Sequence, residues 1–380
     1  MSTTPKITDN AMEKVTSSGT GDFSLGGALT GYVSFSSSLS DGDSFYYGAK
    51  DLTNGGTEVG IGTYHSGTNT ISRDKILRSS SGGSAVNFSA TTTFVYVTVP
   101  AETLLPRHSI CEGRLTLTSG EPITTGDVIG FGTLYFTPFL GSLIGLWNGN
   151  GWQIYAFSEL SLSLSSLTAN TLYDIFVYDN AGTLTLEAVA WSNSSPGSSA
   201  RATALALQDG IYVKSGTPTR RYLGTVYVYN GGEDGIVSDD SLVNRYLWNY
   251  YNRAYKRGEW SDGTSHTYGT NAWRLWDNQS APQVNFVIGV VEEWIPVRIQ
   301  LEVTNASGTL VVGGLGWNTT SSNTEATDWV QSTTDSLFTG SSPGELPALG
   351  KNYAAFLENM IRGASASTLT FGRIDLGLRC

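Results

Sequence analysis

The run Asn148-Gly149-Asn150-Gly151 separates Ser142-Leu-Ile-Gly-Leu-Trp147 from Trp152-Gln-Ile-Tyr-Ala-Phe157. Asn-Gly accepts the positive φ values that a tight hairpin turn demands, and both flanks are rich in strand formers. The segment therefore reads as a β-hairpin. The same pattern recurs in Thr171 to Tyr178 against Thr183 to Trp191, across Asp179-Asn-Ala-Gly182. It recurs again in Gly210 to Lys214 against Arg221 to Tyr229, across Ser215-Gly-Thr-Pro218. Composition agrees with a chain made of strands and turns. There are 45 glycines, and charged residues are only 14%, well under the usual share. Ten Trp and 19 Tyr argue against disorder, which goes with few aromatics and high net charge. The expected class is all-β, as tandem β-sandwich or jelly-roll-like modules with one helix near residues 240-257.

Four segments are expected. Residues 1-20 are polar and without periodicity, and read as an extended N-terminal arm, either a disordered tail or an anchor. Residues 21-105 form a small β module with turn signals about every ten residues. Its strands are expected at Ala28 to Phe35, Ser44 to Ala49, Glu58 to Tyr64, Thr68 to Leu77, Ala85 to Phe88 and Thr93 to Val99. Residues 106-238 are a hairpin-rich sandwich domain, and residues 239-380 a helix followed by a jelly-roll-like domain. The helix is read over 239 to 257. Asp239, Asp240 and Ser241 offer a cap and Lys256 and Arg257 match the macrodipole. Leu242, Tyr246, Leu247, Tyr250 and Ala254 share a face, and Gly258 is a stop. No internal repeat of fixed period is visible.

Several function classes find no support. The net charge is −11, and the basic pairs Arg220-Arg221 and Lys256-Arg257 are too small for a nucleic-acid footprint. Met1 to Asp9 has no apolar core, so no signal peptide is expected. The run Phe286 to Val291 is far too short for a membrane span. The three histidines, His65, His108 and His266, show no metal-ligand spacing, so no metal and no cofactor is expected. No nucleophile elbow or phosphate loop occurs. Paired carboxylates for glycan cleavage could come from Asp41 and Asp43, Glu233 and Asp234, Asp239 and Asp240, or Glu292 and Glu293. Adjacent carboxylates on a strand point to opposite faces, which argues against Glu292-Glu293. Asp239-Asp240 reads as a cap. No enzyme activity is expected.

Two stretches carry a family resemblance. The first holds Gly60-Ile-Gly-Thr-Tyr-His-Ser-Gly67, Thr70-Ile-Ser-Arg-Asp-Lys-Ile-Leu-Arg-Ser-Ser-Ser-Gly-Gly83, Ala85-Val-Asn-Phe88 and Thr93-Phe-Val-Tyr-Val-Thr-Val-Pro-Ala-Glu102. The second holds Cys111-Glu-Gly-Arg-Leu-Thr-Leu-Thr-Ser-Gly-Glu-Pro122, Tyr173-Asp-Ile-Phe-Val-Tyr-Asp-Asn-Ala-Gly-Thr183, Arg201-Ala-Thr-Ala-Leu-Ala-Leu-Gln-Asp-Gly-Ile-Tyr-Val-Lys214, Arg220-Arg-Tyr-Leu-Gly224 and Leu247-Trp-Asn-Tyr-Tyr-Asn-Arg253. Over roughly residues 15-260 the chain resembles structural proteins of tailed-bacteriophage virions. The resemblance implies a virion protein, assembled in the bacterial host cytoplasm, homotrimeric and in contact with other tail, baseplate or neck proteins. A tail-fibre-like role in viral attachment heads the expectations, followed by a collar, head-fibre or decoration role and then a polysaccharide-degrading spike. It carries no catalytic residue. Lys351 to Ile361 suits a helix, through Tyr353, Phe356, Leu357 and Met360, as well as a strand; the tail resembles the closing hairpin of trimeric jelly-roll domains, so a strand that pairs with Thr368 to Ile374 is expected.

Two sets of residues are singled out. Trp260, Tyr268, Trp273 and Trp276 cluster where strand signals are few. They are either a surface for host glycan or partners, since Trp and Tyr combine an apolar face with a polar edge, or core and subunit-interface aromatics. Trp147 and Trp152 flank a hairpin tip. Cys111 and Cys380 are either free thiols or a disulfide, within the chain or between neighbours.

Overall fold

The computed structural model describes residues 5–90, 92–100, 108–304, 310–324, 336–362 and 366–380. The chain is almost entirely β, and it divides into two units. The first covers Met1–Arg107. The second covers His108–Cys380, the hairpin tip Asn150–Trp152 excepted.

In the first unit a seven-stranded sheet runs in the order Ser44–Asp51, Thr93–Val97, Met12–Val15, Phe23–Ala28, Thr70–Ile71, Thr57–His65, Lys75–Ser79. Ser44–Asp51 also pairs with Thr57–His65, so six of the strands close on themselves. Closure removes the exposed edges that a small sheet otherwise carries. Inside lie Val15, Phe23, Phe35, Phe45, Tyr47, Tyr64, Ile71 and Phe88. Tyr47 fits because its neighbours are glycines. A Cβ on Gly60 would fall 2.7 Å from the Tyr47 hydroxyl, and one on Gly62 would fall 2.3 Å from the carbonyl oxygen of Ser72. The Tyr47 hydroxyl donates to buried Glu58 at 2.7 Å. Glu58 also accepts from the backbone N–H of Val86 at 2.8 Å and pairs bidentately with Arg73 through Nε and Nη2.

Four local expectations fail here, one being the strand expected over Thr68 to Leu77, which is broken into Thr70–Ile71 and Lys75–Ser79. Met12–Val15 is an interior strand with Val15 in the core, not part of an arm. The strand expected over Ala28 to Phe35 ends at Ala28, beyond Gly27 at φ 99°, and Phe35–Ser38 is a one-turn helix capped by Ser34. Ala85 to Phe88 is not a strand, and Phe88 only bridges to Gly19.

The second unit has two cores that share a wall. In the first, Leu115, Leu134, Phe136, Ile144 and Leu146 pack against Ile175, Val177, Val226 and Val228. The second lies between a five-stranded sheet and strands of the largest sheet, around Trp276, Phe286, Ile299, Val303, Val311, Phe356 and Ile374. The five-stranded sheet has Ser367–Arg379 between Tyr255–Asp262 and Ile295–Thr304, with Ser336–Glu345 outermost. The wall includes Thr217–Asn230 and Leu247–Asn249, which pair antiparallel.

This wall explains the absent helix. Residues 239 to 257 form the end of the strand Ile236–Asp240, then Asn244–Arg245, Leu247–Asn249 and the start of Tyr255–Asp262. Tyr246 and Trp248 enter one core and Leu247 the other, so the run is buried on both faces with period two. The apolar spacing that suggested a helix comes from two strand faces read together. The flanking charges do not act on a helix dipole. Asp240 pairs with Arg245 at 2.7 Å and with Lys256 at 3.1 Å, all three buried. The division expected at 238/239 falls inside the strand Ile236–Asp240.

The three hairpins form as expected, with Ala181 and Gly182 at φ 53° and 94° in the second turn. Gly350–Arg362 is a strand, but it pairs with Gln283–Ile288 and Leu310–Trp317 rather than with the last strand. Residues 350–362 and Ser367–Arg379 lie in different sheets that meet face to face. A Cβ on Gly372 would fall 2.9 Å from both Phe356 and Trp276.

Candidate functional site

The aromatic cluster forms, but inside the second sandwich. Trp276 is fully buried, tilted against Phe356 at 5.3 Å between centroids, and its indole N–H donates to Asp262 at 3.2 Å. Trp260 is half-buried and stacks on Phe356. Tyr268 is buried, donates to the carbonyl of Ala272 at 2.6 Å, and lies under the guanidinium of Arg274. Trp273 is half-buried over Gly314, which leaves room for its ring. Trp260, Tyr268 and Trp276 thus pack in the second core, while Trp273 covers Gly314 beside it. Trp147 and Trp152 are half-buried.

At the centre of the cluster is an ion triad that the sequence did not reveal. Glu358 is 0% exposed, and it accepts from Arg274 Nε at 2.6 Å and from His266 Nε2 at 2.7 Å. The other imidazole nitrogen lies 3.4 Å from the carbonyl of Thr264 and 3.9 Å from Asp277. Burial pulls the His266 pKa down, but the hydrogen bond and charge of Glu358 outweigh it and hold the ring above its ordinary value. Asp277 and Asn278 have φ 47° and 53°, a left-handed turn that carries this rim.

A second constellation lies at the loop between Gln283–Ile288 and Ile295–Thr304. Glu292 and Glu293 do not diverge as adjacent strand residues would, because they sit in a loop. Arg253 gathers both, at 2.7 Å to Glu292 and 3.5 Å to Glu293, and Arg379 donates to Glu293 at 3.1 Å. Beside them Trp294 is 63% exposed. Trp248, Arg253, Glu292, Glu293, Trp294 and Arg379 line one shallow depression. Trp294 carried a readable signal, a tryptophan after two acids and before Ile295-Pro296.

The remaining candidates serve local structure. Asp41 accepts from the backbone and hydroxyl of Ser66, and Asp43 from the backbone of Ser40 and from Lys6. Asp239 accepts from Gly130 N–H, Tyr229 and Asn244. Among the described residues no group of three or more His, Cys, Asp or Glu is placed to hold a metal ion. Among the described residues no helix is long and apolar enough to cross a membrane. Cys111 and Cys380 are free and buried, not a disulfide. Burial pushes the Cys111 thiol up to about 11 and the Cys380 thiol up to about 12.

No family model matches the chain, and no curated protein matches it. Among solved structures, the chain is similar to that of the infectious bursal disease virus Gx strain, at 13% identity and a TM-score of 0.21, over 99% of this chain and 74% of that one. It is also similar to a glycoside hydrolase family 43 arabinoxylan arabinofuranohydrolase from Bacillus subtilis, at 11% identity and 0.16, over 90% and 80%. A third is the insecticidal delta-endotoxin Cry8Ea1 from Bacillus thuringiensis, at 10% identity and 0.16, over 71% and 52%. Scores of this size establish no common fold.

Proposed function

We propose that this chain is a non-enzymatic structural protein of a tailed-bacteriophage particle, tail-fibre-like or peripheral to the baseplate. Its first unit docks on the particle and its second faces the host surface, where surface glycan is the expected contact. It works as a homotrimer among other virion proteins, in a particle assembled in the host cytoplasm. The resemblance over residues 15-260 motivates the reading. The observation that carries it is the use made of the resembling segments. Their charged and amide side chains act as framework. Arg73 pairs with Glu58, and Arg201 pairs with buried Asp174 at 2.6 Å. Arg114 donates to the carbonyls of Pro122 and Asn252. Asn249 accepts from the backbone of Leu115, and Asn252 donates to the carbonyls of Cys111 and Gly113. Polar groups spent on holding strands together suit a load-carrying part. The acidic pair Glu292-Glu293 is likewise tied to arginines.

Antibody raised against the purified chain and applied to intact particles of the encoding phage tests the reading by electron microscopy. Label at the tail extremity is expected. Label on capsid or neck overturns the tail position in favour of a decoration or collar role. Particles without the chain, by labelling and by mass spectrometry, overturn the particle role altogether.

A further inference from the structure

The outer face of the five-stranded sheet ends in an aromatic corner. Tyr255 sits opposite Arg379 in the strand register and is 72% exposed. Its ring lies over Gly377, where an added Cβ would fall 2.4 Å from the phenol oxygen and 3.0 Å from Cγ of Pro296. Gly377 and Trp294 border the same shallow depression. Tyr255 starts the strand on one side of Ser367–Arg379, and Trp294 immediately precedes the strand on its other side, both in water. A scattered exposed aromatic needs no explanation, but two that flank the end of one strand beside locked polar groups do.

The polar groups set the chemistry of a partner. Glu292 and Glu293 face Arg253 and Arg379, two acids against two bases, so the corner carries no net charge. The ion pairs hold the planar groups still. The bonds to Glu292 use Oε2 and those to Glu293 use Oε1, which leaves one oxygen of each carboxylate to accept from a ligand hydroxyl. A charged ligand gains nothing from a balanced set. A wholly apolar ligand would strip water from four ionised groups without replacing its hydrogen bonds. A ring with C–H faces and hydroxyl edges satisfies both parts.

We propose that Trp294, Tyr255, Glu292, Glu293 and Arg379 form a binding site for an uncharged, hydroxyl-rich sugar ring. The sugar stacks on the aromatic faces, and its hydroxyls bond the carboxylates and the guanidinium. The site rests on the particle reading only for the source of the sugar, a host-surface glycan. The depression is shallow, so one site binds weakly and several copies in one assembly add avidity.

The test titrates the full chain with maltohexaose, cellohexaose and chitohexaose, and with an oligogalacturonate of the same length as the acidic control, by saturation-transfer NMR. At least one neutral oligosaccharide is expected to bind, with Kd on the order of 1 mM. Trp294→Ala and Tyr255→Ala each weaken it by about tenfold or more, the equivalent of about 1.4 kcal/mol, without changing the melting temperature. Glu293→Gln weakens it less. No binding of the three up to about 10 mM overturns the site, as does wild-type binding by both aromatic variants, or equal binding of the acidic control. Binding by a chain that is absent from particles sinks the particle reading alone. Particle label without binding sinks this site alone.

Discussion

The guanidinium of Arg114 reaches the carbonyl oxygen of Cys380, 266 positions later in the chain, at 2.5 Å. The same side chain donates to the carbonyls of Asn252 at 2.5 Å and Pro122 at 2.9 Å. One buried fork thereby ties the start of the second unit to its last described strand. Only arginine offers donors in three directions from one planar group.

Arg114→Leu leaves these carbonyls without that donor in a dry site, and each unmatched group costs about 1–3 kcal/mol. The expected loss is about 3 kcal/mol or more, seen as a lower urea midpoint. Arg114→Lys recovers little of it, because one ammonium cannot reach all three oxygens. A lysine variant as stable as wild type would contradict the bridging role.

In the first unit, Glu58→Gln removes the partner of the buried Arg73 side chain. Breaking one side of a buried pair typically costs about 3–5 kcal/mol. Hydrogen exchange should show protection lost across Thr57–His65 and its neighbours in that sheet, with the strands of the second unit unchanged. Unchanged protection at Thr57–His65 would refute the assignment.

Gly62→Ala places a methyl group 2.3 Å from a backbone oxygen, which cannot move as a flexible side chain can. Overpacking of this kind costs about 1–3 kcal/mol. Gly67→Ala, in open space in the turn after Thr57–His65, should be close to neutral. Thermal melts of the two variants side by side give the comparison.

His266 makes stability depend on pH. Its pKa is raised in the folded chain, so its contribution is complete below the unfolded value of about 6.5 and is lost as pH rises through the higher folded value. Urea midpoints should therefore fall from about pH 6.5 upward by more for the wild type than for His266→Gln. Parallel pH profiles for the two proteins would refute a protonated His266–Glu358 pair.

Both thiols should be silent in the native state. With pKa values of about 11 and 12, each is overwhelmingly protonated at pH 8, and both are shielded. A thiol reagent is expected to label neither residue in the folded chain and both in denaturant. A native mass two hydrogens short would reveal a disulfide and overturn the assignment.

What the sequence disclosed was what neighbours along the chain decide. Asn148-Gly149 and Ala181-Gly182 announce their hairpins because a turn needs particular backbone angles at particular positions. The stretch from Leu242 to Ala254 misled because Tyr246 and Leu247 serve two different cores, and no local pattern says that a strand is walled on both sides. The sequence Gly363-Ala-Ser-Ala366 could be read as joining partners in one sheet or as carrying the chain to another. That choice rests on Gln283–Ile288 and Ile295–Thr304, far away. The aromatic residues were visible as a group, but burial decided their use. Trp260 and Trp276 found Phe356, while Trp294, set among charges, stayed in water.

The five-stranded sheet also sets a timetable. Its inner strand, Ser367–Arg379, comes later in the chain than both strands that flank it. Until that segment leaves the ribosome, Tyr255–Asp262 and Ile295–Thr304 hold a vacant slot between two unpaired edges. Such edges attract other chains, so a stalled or truncated product is prone to aggregate. The slot fills only when nearly all of the sandwich has been made, so closure of the sheet waits for its latest-made strand.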